Sequence, residues 1–261
     1  MNHRQGQIFA NPQVDACIDL MRRVAERAPR VHAITNFAAQ VFTANLLLAA
    51  GATPSLSYAE EEVEAFTTRA DALLVNLGTL DRERRAGIAR AIPAAKAAGR
   101  PFVLDPVFVD RSPPRLAAAR ARLADGPAIL RCNAAEFVAL ADAPADEETV
   151  MARSRAWGCV VALTGPVDFI TDGARVARIE NGHPLMARVT AMGCAGTALI
   201  AAGAALTDDP FEAATAALLR LGIAGEIAGG AAQGPGTFQP AFLDAIHAAD
   251  ETAIRSLARI S

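Results

Sequence analysis

Residues 188–197, RVTAMGCAGT, set small side chains directly ahead of a run rich in alanine, leucine and isoleucine. Small residues at a helix start let backbone N–H groups approach an anion closely, and the helix dipole adds about half a positive charge there. That is the chemistry of a hole for a phosphoryl group in transfer, with Gly193 at the closest approach. The pattern is weak alone, because glycines at 193 and 196 would also serve close helix packing. It is not a Walker A loop, since G-x-x-x-x-G-K-[ST] occurs nowhere in the chain.

Phosphoryl transfer is mostly positioning and charge neutralisation, so magnesium and cationic side chains are expected nearby. Asp105 and Glu136 are the acids suited to holding Mg²⁺ through water. Asn133 and Glu136 form N-x-x-E, which puts both on one face of a first helical turn. A carboxylate favoured there by the helix dipole is the plainer alternative for Glu136. Arg131, just before them, offers a guanidinium fork that matches phosphate oxygens.

Such residues need elements that end at one edge. Short apolar runs fall at Val31–Ile34, Ala52–Ser57, Ala72–Asn76, Phe102–Asp105, Ala128–Arg131 and Val160–Leu163. Several are apolar at consecutive positions, as in strands covered on both faces. Between them lie helical patterns at about Gln13–Ala28, Ala38–Ala50, Glu60–Arg69, Arg82–Ala98, Arg115–Ala124, Asn133–Leu140 and Glu147–Ala156. Repeats of this kind predict a mostly parallel central sheet with helices on both faces. Val167–Thr171 and Arg175–Ile179 read as a hairpin, with Asp172-Gly173 as a two-residue turn signal. Beyond Gly193 the chain reads as helices: Cys194–Leu206, Pro210–Gly229 and about Pro240–Arg259. In an open parallel sheet, ligands sit beyond the carboxyl ends of the strands. Thr35, Asn36, Asn76, Gly78, Asp105, Arg131, Thr164 and Gly165 all stand at such ends. No linker or repeat divides the 261 residues, so one α/β domain over 1–261 is expected.

A net charge of −3 leaves no basic footprint for nucleic acid. The four cysteines show no C-x-x-C spacing, and MNHRQGQIFANPQ has no continuous apolar stretch of the signal-peptide kind. No window approaches the roughly 18 apolar residues of a membrane helix. A cytoplasmic protein with free thiols and no membrane partner is the expectation.

Taken in order, VHAITNFAAQVFTANLLLAAGATPSL, ALLVNLGTL, PFVLDPV, ILRCNAAEF, VVALTGPVDFITDG, HPLMARVTAMGC and GPGTFQPAFLDAI resemble the hydroxyethylthiazole kinase family of the ribokinase-like superfamily, from about Val31 to Ile246. The resemblance implies a ribokinase-like fold. It also implies transfer of the ATP γ-phosphate to the primary alcohol of 4-methyl-5-(2-hydroxyethyl)thiazole, in thiamin biosynthesis and salvage. Mg²⁺ and a homotrimer with active sites between subunits are part of the same implication. Residue by residue, Arg131 and Thr164 match ATP-contacting positions, and Asp105 and Glu136 the magnesium-side acids. Leu56 stands at a methionine that meets the thiazole through its backbone, Ala191 at a substrate-contacting glycine, and Asn36 within a T-N-D near the substrate. Cys194 stands at the cysteine that replaces the catalytic aspartate of other ribokinase-like enzymes. A thiol at a helix start is expected to have a lowered pKa.

The chain departs from the family pattern in four places. Phe37 follows Thr35-Asn36 where the family has aspartate. Phe108 and Asp110 fall in a stretch that usually runs G-x-G-A, and Met192 follows Ala191 where the family has G-[TA]. Phe108 and Met192 thus add bulk where close backbone approach is expected. Two other readings stay open: a same-fold kinase of another small heterocyclic alcohol, and a nucleotide-binding homologue without turnover. The missing G-x-G-x-x-G after the first strand disfavours a Rossmann dehydrogenase.

Overall fold

A computed structural model describes residues 11–261. Its strands are β1 (Arg30–Ile34), β2 (Thr53–Ser55), β3 (Ala72–Asn76), β4 (Phe102–Asp105), β5 (Ile129–Asn133), β6 (Val160–Thr164), β7 (Asp168–Thr171) and β8 (Val176–Ile179). They form one sheet in the order β2-β1-β3-β4-β5-β6-β7-β8. Pairing is parallel from β2 through β6 and antiparallel across β6-β7-β8. The helices are α1 (Pro12–Arg27), α2 (Gln40–Ala49), α3 (Val63–Arg69), α4 (Arg82–Ala97), α5 (Pro113–Ala124), α6 (Ala134–Ala141), α7 (Glu147–Trp157), α8 (Met192–Ala204), α9 (Pro210–Ala231), α10 (Pro235–Ala248) and α11 (Glu251–Leu257).

Side chains alternate across each strand, so a continuous apolar run feeds two cores. In β3 every residue is buried. Leu74 joins the core built with α1, α2 and α8 to α11, while Leu73 and Val75 join the one built with α3 to α7. Three layers result, helices on both faces of the sheet, as expected. β1 pairs with β2 on one side and β3 on the other, so the winding direction reverses there. That reversal opens a crevice beyond the strand ends.

Of the boundaries that differ from the sequence reading, four matter most. β2 pairs only over Thr53–Ser55, and Pro54 within it offers no N–H to a further neighbour. The hairpin loop has four residues, because Thr171 pairs with Val176 and Asp172 Oδ1 accepts from the backbone N–H groups of Ala174 and Arg175 at 2.9 and 2.7 Å. The helix expected over Pro240–Arg259 is two helices. It starts at Pro235, stops at Ala248, and restarts where Asp250 Oδ1 accepts from Ala253 N at 2.8 Å. α8 starts at Met192, two residues earlier than expected.

Both ends of the sheet are finished by the chain itself. β2 is a three-residue edge. Along β8, Arg178 and Ser261 exchange two backbone hydrogen bonds of 2.8 and 3.0 Å, and Ile179 bridges Ile260.

Candidate active site

The ends of β1, β3 and β4 meet the start of α8 in a buried polar chain. Asn36 Nδ2 donates to Asn76 Oδ1 at 3.0 Å, and Asn76 Nδ2 donates to Asp105 Oδ2 at 2.7 Å. Thr197 Oγ1 on α8 lies 3.0 Å from that same carboxylate oxygen. Asn36 Nδ2 also stands 3.4 Å from Cys194 Sγ. The other carboxylate oxygen, Asp105 Oδ1, is buried with no hydrogen-bond partner among the described residues. Burial pushes the Asp105 carboxyl up to about 6, with Glu136 adding to the rise and Arg131 opposing it. An orphaned buried oxygen is costly unless something fills the place, and a hydrated cation fits it.

Glu136 is the helix-start carboxylate that its sequence position allowed. Its Oε2 accepts from Asn133 N at 3.0 Å while Asn133 Oδ1 accepts from Glu136 N at 2.9 Å, a complete capping box on α6. Its Oε1 accepts from Phe108 N at 2.8 Å. Each carboxylate oxygen keeps a further lone pair. Among the described residues, no group of three or more His, Cys, Asp or Glu could hold a metal ion by itself. One or two carboxylates plus substrate phosphates is the arrangement magnesium prefers.

On the other side of the α8 start, Arg131, Thr164 and Gly193 all line one cavity of about 690 Å³, a size suited to a nucleotide. The backbone of Arg131 pairs within β5, and its side chain makes no hydrogen bond or ion pair with another described residue. The fork of its guanidinium lies against Gly193, where an added Cβ would come within 2.8 Å of both terminal nitrogens. Gly193 therefore makes room for the cation. Gly196 instead faces Leu221 of α9, so there the packing reading holds. Asp168, His183 and Met186 also line this cavity and carry no spacing signal that would have marked them. Burial pushes Asp168 up to about 6, although its Oδ1 accepts from Gly165 N at 3.0 Å.

The profile of the hydroxyethylthiazole kinase family matches residues 21–252. The chain belongs to the hydroxyethylthiazole kinase family. Among its relatives is the hydroxyethylthiazole kinase of Granulibacter bethesdensis, 44% identical over 255 residues, covering 93% of each chain. Another, from Cereibacter sphaeroides, is 45% identical over 263 residues, covering 95% of this chain and 99% of the relative. The structure of the hydroxyethylthiazole kinase protein from Pyrococcus horikoshii OT3 superposes with a TM-score of 0.90 at 38% identity, covering 95% and 98% of the two chains. A ribokinase-like superfamily protein from Enterococcus faecalis superposes at a TM-score of 0.64 and 14% identity, covering 85% and 88%. The fold is ribokinase-like.

The residues expected on the acceptor side fall unevenly. Asn36 and Cys194 meet directly. Ala191 precedes α8 with φ +69, a left-handed conformation that suits the glycine expected there. Leu56 lies just past the edge strand β2, partly buried and packed against the core that holds α1, α2 and α8. The lowered pKa expected for Cys194 is corrected. Burial first, then the nearby Asp105 carboxylate, push the thiol up to about 12, so the helix dipole does not prevail and the group is a neutral thiol at pH 7.

The departures also find their places. Phe108 and the preceding Val107 both take left-handed angles, φ 56 and 39. Phe108 is 53% exposed as a residue, and its ring neighbours Arg111. Asp110 is paired with Arg111 at 3.3 Å, so it adds no free charge. Met192 lines the 690 Å³ cavity together with Arg131.

Proposed function

We propose that this kinase transfers the γ-phosphoryl group of ATP to the primary alcohol of 4-methyl-5-(2-hydroxyethyl)thiazole, the substrate class that names its relatives. The observation that carries the reading is the position of Asp105. Its orphaned oxygen lies in a buried network that reaches Asn36, which touches Cys194, while its charge is felt by Arg131 on the nucleotide side. ATP would occupy the 690 Å³ cavity, with Arg131 and the first amides of α8 on its phosphates and Thr164 alongside. Asp105 and Glu136 would hold Mg²⁺ through water, and the metal would supply neutralisation of the transferring charge. Asn36 and Cys194 would receive the acceptor hydroxyl, with Ala191 and Leu56 bordering it. A neutral thiol suits a loose phosphoryl-transfer transition state, which asks little of a base.

Assembly belongs to the same reading. Phe37, Val41 and Leu48 are 61, 74 and 60% exposed along one face of α2 and the turn before it. An apolar stripe beside the acceptor residues supports a homotrimer whose subunits complete each other's sites. The single-domain reading is supported by one sheet running from residue 30 to 179 with the later helices packed back on it. A cytoplasmic location is supported by free cysteines at 17, 132, 159 and 194. Among the described residues, no helix is long and apolar enough to cross a membrane.

The test is an ADP-release assay on purified protein with Mg²⁺, ATP and a panel of small heterocyclic alcohols, with products read by mass spectrometry. Acceptor-dependent ADP release and a singly phosphorylated thiazole alcohol are expected. The exposed Phe37 and Phe108 rings favour one second reading, a different heterocyclic alcohol as preferred acceptor, which the same panel would reveal. ADP release that ignores every acceptor would overturn both.

A further inference from the structure

Arg84 lies in the first turn of α4 with its side chain wholly buried. Its guanidinium sits between two aromatic rings, Cζ being 4.0 Å from the centroid of Phe37 and 4.0 Å from that of Tyr58. Its Nε donates to the carbonyl oxygen of Thr35 at 2.9 Å, and Nη1 is paired with Asp81, which also caps the helix. Nη2 is buried without a partner among the described residues. As a device for stability this is poor: a buried cation with an unpaired nitrogen is often bettered by an apolar side chain. What the arrangement does achieve is geometric.

The two groups held by Arg84 in the turn after β1 are the carbonyl of residue 35 and the ring of residue 37. Asn36 stands between them, and its amide reaches Cys194 and Asn76. Fixing both flanks of a residue fixes its Cα–Cβ vector. The second ring comes from the segment after β2. The backbone of Tyr58 lies against α4 one turn further on, where a Cβ on Gly87 would come within 2.3 Å of the Tyr58 carbonyl oxygen. One guanidinium thus ties together the turns that follow β1 and β2, the two that border the acceptor side. Phe37, a departure from the family pattern, is what gives the cation its first ring.

We propose that Arg84 is a positioning residue for the acceptor half of the site, orienting Asn36 through a Phe37–Arg84–Tyr58 stack. The proposal rests on the acceptor lying at Asn36 and Cys194. Lysine keeps the charge but lacks the planar fork that stacks and bonds at once, so Arg84→Lys is the informative change. Steady-state kinetics with acceptor varied and then ATP varied should show acceptor kcat/KM down by on the order of tenfold to a hundredfold, the loss expected when a positioned group moves by about 1 Å. The ATP KM should stay within about twofold. In an Asn36→Ala background, Arg84→Lys should add little, because the group that it orients is gone. Equal losses on the acceptor and ATP arms, or full additivity with Asn36→Ala, would overturn the proposal.

A second arm needs no substrate. In ¹⁵N-labelled protein, Arg84→Lys should shift or broaden the side-chain amide resonances of Asn36 and leave those of Asn133 unchanged. An unaltered Asn36 signal also overturns the proposal. Should the wild type use no alcohol in the panel, the functional reading fails by itself and the resonance arm still decides the role of Arg84.

Discussion

Ala191 carries a left-handed backbone at φ +69, where an L side chain costs about 1–2 kcal/mol relative to glycine. Glycine there loses more entropy on folding, which takes back part of the gain. Ala191→Gly should therefore stabilise the protein by about 0.5–1 kcal/mol, seen as a higher urea midpoint at unchanged m-value. Phe108→Gly is a less clean comparison, since the ring beside Arg111 goes with the strain. Asp105 presents the opposite conflict. Its carboxyl is raised by burial from the ordinary 3.8 to about 6, so the folded state holds the proton more tightly than the unfolded one. Stability from this group is then greatest below about pH 4, falls as pH rises through 6, and stays low above. Asp105→Asn removes that dependence. The variant should equal wild type near pH 3 and exceed it at pH 7 by on the order of 1–3 kcal/mol, while kcat falls a hundredfold or more. Urea unfolding of both proteins across this pH range, with parallel rates, checks both signs. The position of Asp105 at a strand end is legible in the sequence. Its missing partner is not, because an orphaned oxygen depends on what three other elements bring to it. Cys194 shows the same limit: the helix start is visible in the chain, and the burial that raises the thiol is not.

At the level of elements, α8 and α9 each press a glycine against a different kind of neighbour. A Cβ on Gly193 would meet only the end of the Arg131 side chain, whereas one on Gly222 would come within 2.6 Å of the backbone oxygen of Asn181. Gly193→Ala should keep the fold and displace Arg131, raising the ATP KM by roughly tenfold, about what one phosphate contact contributes. Gly222→Ala should instead lower stability by about 1–3 kcal/mol, measured by thermal unfolding. Strands and most helices were legible because apolar runs covered on both faces, and their polar ends, are one-dimensional features. The break at Ala249 was not, since apolar spacing continues through it and only the Asp250 cap marks the restart. The length of the hairpin loop is hidden for a similar reason: Asp172 accepts from two successive amides and lengthens a turn that Asp-Gly alone would make short.

For the molecule as a whole, the exposed stripe of Phe37, Val41 and Leu48 carries the proposed trimer. Val41→Asp places a charge in the middle of that stripe, where desolvating it would cost several kcal/mol. Light scattering should then report a monomer for the variant and three subunits for wild type, with acceptor turnover lost alongside. A wild-type monomer at micromolar concentration with full activity would refute the assembly. Nothing in a single sequence separates such a stripe from a core-facing one; the burial of its neighbours Phe42, Leu46 and Leu47 on the opposite face of α2 does.

The two finished margins of the sheet have a consequence for the life of the protein in a crowded solution. An open strand margin is a template for pairing with another chain, and hence for fibre formation. Here one margin is three residues long and interrupted by Pro54, and the other is capped where Arg178 and Ile179 meet Ile260 and Ser261. Removing residues 260–261 would expose the backbone of β8 while keeping the bonds of Arg259 to Asn181 and Glu180, which line the 690 Å³ cavity. The shortened protein should keep its catalytic constants when fresh and turn thioflavin-positive on warm storage, at concentrations where the full chain stays clear.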